Sequence, residues 1–129
     1  MANVVANFLY SKEHEWVEVI GEGRVRVGIT DFAQHQLGDL VFVDLPQVGA
    51  SVTADDSMGS VESVKAVSDI FSPVTGTVVE VNPVLEDEPE TINSDPFQGG
   101  WMVVVELSDP DELNGLMNAE QYAAFTEEE

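Results

Sequence analysis

The feature that most constrains this chain is a succession of short apolar runs with a period of two, each cut off by glycine or proline. Val17 and Val19, then Val25 and Val27, alternate on either side of Gly21-Glu22-Gly23. Successive strand side chains point to opposite faces, so these runs form a hairpin with a glycine-containing turn. Val41, Val43 and Leu45 alternate next and end at Pro46, and Ser51 to Ala54 is a further short extended stretch. Pro73 and Gly76 precede a strand over Val78 to Val81, and Trp101 to Leu107 is the last alternating run. Asp87-Glu88-Pro89-Glu90 between them reads as a solvated loop.

Helical signals are fewer. Thr30-Asp31 can cap a short helix through Phe32, Ala33 and Leu37, which Gly38 stops. Ser108-Asp109-Pro110-Asp111-Glu112 places a capping residue, a first-turn proline and acidic side chains at a second start. Asn118-Ala119-Glu120-Gln121 is a capping box ahead of Tyr122 and Phe125. Glu127-Glu128-Glu129 opposes the negative end of a helix and is expected to fray. The expected plan is mainly β, with a core over about residues 8–107, one short early helix and two C-terminal helices over about residues 109–126.

At 129 residues and 43% hydrophobic, the chain suffices for a single domain, 1–129, with its own core. No apolar run approaches the roughly 18 residues that crossing a bilayer requires. Met1-Ala2-Asn3-Val4-Val5 lacks the basic and long apolar regions of a secretory signal, and no Arg-rich leader precedes Phe8-Leu9-Tyr10. A cytoplasmic location is therefore expected. The chain has no cysteine, which excludes a disulfide framework and a thiolate metal site. Any sulfur redox chemistry would have to come from a prosthetic group.

Charge is the compositional outlier: 25 acidic residues against 4 basic ones, a formal net charge of −21. Lys12, Arg24, Arg26 and Lys65 cannot build the basic stripe that nucleic acid demands, and an anionic membrane surface is disfavoured for the same reason. Two explanations survive, steering toward a basic partner and adaptation to a salt-rich cytoplasm. The even spread of acidic residues and the scarcity of lysine favour the second.

Lys65 is one of two lysines, and its flanks in Ser63-Val64-Lys65-Ala66-Val67 suit a tight turn between strands. Pro46-x-x-Gly49-x-x-Val52 recurs as Pro73-x-x-Gly76-x-x-Val79, with Lys65 between the copies. Two similar halves packed together would place Lys65 at an exposed connecting tip. Composition alone would leave it an ordinary surface lysine.

Longer blocks change that. Glu13-His14-Glu15-Trp16-Val17, Val27-Gly28-Ile29-Thr30-Asp31-Phe32-Ala33-Gln34, Leu37-Gly38-Asp39 and Val41-Phe42-Val43-Asp44-Leu45-Pro46 stand in order. Gly59-Ser60-Val61-Glu62-Ser63-Val64-Lys65-Ala66-Val67-Ser68-Asp69-Ile70 follows, then Ser72-Pro73-Val74, Ile92-Asn93-Ser94-Asp95-Pro96-Phe97 and Gly100-Trp101. Over nearly its full length the chain resembles the H proteins of the glycine cleavage system.

The resemblance implies a barrel-sandwich hybrid of antiparallel sheets, as in lipoyl and biotinyl carriers, with C-terminal helices. It implies a carrier and not an enzyme, a monomer with lipoate in amide linkage on Lys65. The implied partners are a pyridoxal-phosphate glycine decarboxylase, a tetrahydrofolate-dependent aminomethyltransferase and an FAD-containing dihydrolipoyl dehydrogenase. A lipoate ligase or lipoyl transferase would attach the arm. The arm would take an aminomethyl group from the first enzyme, give it to the second and be reoxidised by the third. Glu15 and Asp69 match positions near the loaded arm, where a carboxylate can pair with the amine. Glu13 and His14 are further possible contacts, with a structural role favoured for His14. His35 sits one position before the site where family members can carry histidine, here Gln36, which puts a contact from that helix in doubt.

A lipoyl-relay protein that donates lipoyl groups to other complexes would need the same lysine and fold. A biotin carrier is disfavoured, because Val64 and Ala66 flank Lys65 where methionines would be expected. A free-standing enzyme would need a constellation that is missing. Asp55-Asp56 and Glu86-Asp87-Glu88 lack calcium-loop spacing, two distant histidines make a poor zinc site, and Ser60, Ser63 and Ser68 have no adjacent base pattern. Trp16 and Trp101 fit core or cleft walls better than a stacking platform, since no basic groove accompanies them.

Overall fold

The structure, a computed structural model, describes residues 8–21 and 23–127. The apolar runs become strands β1 (Leu9–Tyr10), β2 (Glu15–Gly21), β3 (Arg24–Ile29), β4 (Leu40–Asp44), β5 (Ser51–Val52), β6 (Ser57–Ser63), β7 (Val67–Phe71), β8 (Gly76–Val81) and β9 (Val103–Leu107). They pair antiparallel in two open sheets, one of six strands in the order β1-β2-β3-β9-β8-β5 and one of three in the order β4-β6-β7. The expected sandwich of antiparallel sheets is observed, with neither sheet closed into a barrel. Both sheets contribute to one core: Val17, Val25, Val27, Val103 and Val105 from the larger, Val43, Val61 and Ile70 from the smaller. Fully burying each such side chain contributes about 1.5–3 kcal/mol.

The expected hairpin pairs β2 with β3, and its glycines carry the turn, with Gly21 at φ 105° and Gly23 at 75°. Glu22 lies outside the described residues. Helix α1 (Asp31–Leu37) starts where anticipated: the Thr30 hydroxyl accepts from the Ala33 N–H, and Gly38 ends it at φ 85°. The two copies of the short repeat meet in the β5–β8 pair, Val52 opposite Gly76. Their glycines differ in purpose, since Gly49 turns the chain at φ 93° while a Cβ at Gly76 would collide with the Glu106 carbonyl oxygen. Val52 is buried, whereas Val79 is half-buried at a register shift in β8.

Three expectations need correction. The acidic stretch around Asp87-Glu88-Pro89-Glu90 is not simply a loop: one-turn helices α2 (Val84–Asp87) and α3 (Thr91–Ser94) flank it, because Leu85 and Ile92 plug into the core at 1% and 0% exposure. The first C-terminal helix is a 3-10 segment, Pro110–Gly115, capped by the Asp109 carboxylate on the Asp111 N–H. Its three-residue turn sets Leu113 and Leu116 on one side, against the main core. In β4 the alternation of Val41, Val43 and Leu45 fails, because a bulge after Leu40 leaves Val41 and Phe42 both exposed.

The capping box holds reciprocally, with the Asn118 N–H on Gln121 Oε1 at 2.9 Å and the Gln121 N–H on Asn118 Oδ1 at 2.8 Å. Helix α4 (Ala119–Glu127) follows. Of the terminal glutamates expected to fray, Glu128 and Glu129 lie outside the described residues. A second cluster of Phe8, Tyr10, Trp16, Ala119 and Tyr122 fastens α4 to β1 and β2. Among the described residues no helix is long and apolar enough to cross a membrane.

Candidate functional site

Lys65 sits at the exposed tip of the β6–β7 hairpin. The turn is organised by Ser63, which is 5% exposed. Its N–H donates to the Ala66 carbonyl at 2.8 Å, while its hydroxyl oxygen accepts from the N–H groups of Lys65 at 3.2 Å and Ala66 at 3.1 Å. A serine hydroxyl thus satisfies the backbone donors that a tight turn would otherwise leave without partners. Val64 and Val67 beside the lysine are 70% and 68% exposed, so the tip is apolar apart from Lys65 itself.

Next to this tip runs a cleft of about 420 Å³, between the β1–β2 connection, α1 and β7. Glu13, His14 and Glu15 form one end, Asp69 lies on β7, and Ile29, Leu37, Val61 and Ile70 give apolar walls. His14 reaches its place by a left-handed turn, φ 67°, that brings the chain into β2 within four residues of β1. Its ring stacks on Phe32 at 4.6 Å and its Nδ1 lies 2.8 Å from the Tyr122 hydroxyl, which also meets Thr30 Oγ1 at 2.7 Å. His14 therefore locks α4 to the start of α1 while lining the cleft.

Glu15 is 2% exposed and accepts from the Ser11 hydroxyl at 2.6 Å. Burial pushes its carboxyl up to about 8, against the smaller downward pull of hydrogen bonds from Ser11 and the Phe71 backbone; the neighbouring Glu13 and Asp55 carboxylates push it up further. Burial thus favours its protonated form toward neutral pH, and a cation taking a place beside it would favour ionisation.

The family model for "Glycine cleavage H-protein" matches residues 8–129. The chain belongs to the glycine cleavage H-protein family. A glycine cleavage system H protein of Bacillus subtilis is 58% identical over 120 residues, 93% of this chain and 94% of the relative. One from Halalkalibacterium halodurans is 54% identical over 129 residues, all of both chains. The crystal structure of a glycine cleavage system H protein from Mycobacterium marinum superposes with a TM-score of 0.88 at 42% identity, covering 96% of this chain and 99% of that one.

Within this H-protein fold the residues singled out from the sequence fall into two groups. Glu13, His14, Glu15 and Asp69 converge on the one cleft, with Lys65 on the turn at its side. His35 is not among the cleft-lining residues: it points to solvent, its Nε2 3.4 Å from Asp31 Oδ2, while Gln36 lines the cleft. Trp16 and Trp101 are also elsewhere, Trp16 fully buried with its indole N–H on the Pro96 carbonyl and Trp101 beneath the Arg26 guanidinium. Sequence reasoning took Ser63 only as a turn flank and an unsupported nucleophile, and passed over Ser11. Ser63 carried a signal, a small hydroxyl residue two positions before the turn lysine; Ser11 carried none, because its role depends on Glu15 being buried.

Proposed function

We propose that this chain is the lipoyl-carrying shuttle of the glycine cleavage system, with lipoate in amide linkage on Lys65. The observation that carries this is a lysine on an exposed hairpin tip beside a cleft of mixed character lined by Glu13, Glu15 and Asp69, in a member of the H-protein family. A lipoyl group supplies a dithiolane, the sulfur chemistry a cysteine-free chain lacks. The chain's own part is to hold and present it. Ser63 fixes the turn that carries Lys65 at the exposed tip, and amide formation removes the lysine charge. The apolar walls of Ile29, Leu37, Val61 and Ile70 suit the stem of such an arm. Glu15 and Asp69, with Glu13 and His14 nearby, suit a cationic amine at its end, where Glu15 gives up its proton.

On this proposal the chain is a carrier and not a catalyst. Its partners are glycine decarboxylase, the aminomethyltransferase, dihydrolipoyl dehydrogenase and the ligase or transferase that loads Lys65. Tethering raises the effective concentration of the carried group at whichever partner is engaged. Intact-mass and peptide mapping of native protein is expected to place a lipoyl-sized increment on Lys65, and a biotin-sized one refutes the proposal. Reconstitution with the three enzymes is expected to support glycine cleavage, with Lys65→Arg inert yet as stable as the wild type. Loading without turnover in that system favours a lipoyl relay instead.

A further inference from the structure

We propose that Asn93, on the one-turn helix α3, is a positioning residue for the Lys65 arm. It holds Gly38, Asp39 and Leu40 as a floor on which the hairpin tip rests. This rests on the assignment of Lys65 as the carrier lysine.

Three consecutive floor residues meet three consecutive residues of the tip. Leu40 pairs with Ser63 in the β4–β6 register, and the Asp39 carbonyl accepts from the Val64 N–H at 3.1 Å. The Lys65 stem crosses Gly38: a Cβ there would lie 3.5 Å from Lys65 Cε. Beyond the end of β4, the floor thus continues the strand pairing into the turn.

At the end of α1 the Gly38 N–H donates to the Gln34 carbonyl at 3.0 Å, but φ 85°, ψ −162° is a region glycine enters as freely as others, so its own backbone does not fix the segment. Asn93 grips both ends of the segment. Its Nδ2 donates to the Gly38 carbonyl at 2.9 Å and its Oδ1 accepts from the Leu40 N–H at 2.9 Å. The second Nδ2 proton goes to Gln34 Oε1 at 2.9 Å, and Gln34, 5% exposed, in turn donates to Asp31 Oδ1 at 2.8 Å. A planar amide, with donor and acceptor on one group, is the side chain that can make all three contacts at once. The chain of bonds runs from α3 through α1 to the floor, so the direction in which Lys65 leaves the tip is fixed by a residue distant in sequence.

A merely structural asparagine would, when replaced, change exchange without changing how Lys65 is presented to the attaching enzyme. A positioning residue would loosen the floor, spare the rest and alter that presentation. The test is amide hydrogen exchange by NMR on unloaded full-length protein with Asn93→Asp, which keeps the acceptor for Leu40 but replaces the donor. Asn93→Ala removes the donor without adding charge. Val64 exchange is expected to rise about tenfold in both, equivalent to ~1.4 kcal/mol. Lys65 and Ala66, whose N–H groups bond Ser63 within the turn, and the core residues Val61 and Val103 keep their rates. With the lipoyl-attaching enzyme, the KM for the variant carriers rises severalfold at unchanged kcat. Wild-type exchange at Val64, a rise shared by Val61 and Val103, or an unchanged KM overturns the proposal. A wild-type chain that accepts no lipoate at Lys65 refutes the carrier assignment instead and leaves the exchange result standing.

Discussion

Replacing Glu15 by glutamine removes a proton-binding group from the cleft and barely alters its shape. In the folded protein the carboxyl titrates at about 8 instead of 4.5, so the native state holds this proton more tightly than the unfolded chain does. The stability it confers is fully present below about pH 4.5, declines as pH rises, and is gone above about pH 8. Each pH unit inside that window costs up to about 1.4 kcal/mol, and from pH 5 to 8 the loss amounts to about 3.5 kcal/mol. Other carboxylates also titrate, but they are common to both proteins and cancel in the comparison. Urea denaturation at pH 5, 6, 7 and 8, at fixed salt, is therefore expected to show the glutamine variant gaining on the wild type by about 1 kcal/mol per unit. Parallel curves would mean that water reaches Glu15 freely in the native cleft, and would refute its burial as the cause.

Ser63→Ala strips the turn of the acceptor for the Lys65 and Ala66 N–H groups. It should lower stability by about 1–2 kcal/mol in urea and reduce the lipoylated fraction seen by intact mass. Tyr122→Phe deletes the hydroxyl that bridges His14 and Thr30 and is expected to cost about 1–2 kcal/mol, read as a lower calorimetric Tm. With a formal charge of −21, the melting temperature should climb from low salt to molar potassium chloride; an unchanged value would count against self-repulsion as a brake on the fold.

Much of the architecture was legible because it is written in neighbouring residues. The period-two runs marked the strands, Thr30 and Gly38 bounded α1, and Asn118 and Gln121 announced α4. The flanks of Lys65 marked a turn, and the blocks around it supplied the family resemblance. The errors arose where local pattern competed with burial. The charges of the segment from Glu86 to Glu90 hid Leu85 and Ile92, which anchor two helical turns, and a bulge after Leu40 broke an alternation that looked regular.

The candidate site divides along the same line. That Glu13, His14, Glu15 and Asp69 belong together followed from resemblance, but that they enclose one cleft is a fact of the tertiary structure. The acidity of Glu15 is set by the wall that excludes water from it and by the Phe71 backbone, and no stretch of sequence around Glu15 records either. Asn93 is held in α3 by its own neighbours, yet it acts on Gly38 and, through it, on the lie of Lys65. Short-range backbone preferences are readable from the chain alone, because each residue largely sets its own. Desolvation and hydrogen-bond partners across the fold belong to no single segment, and only packing decided them.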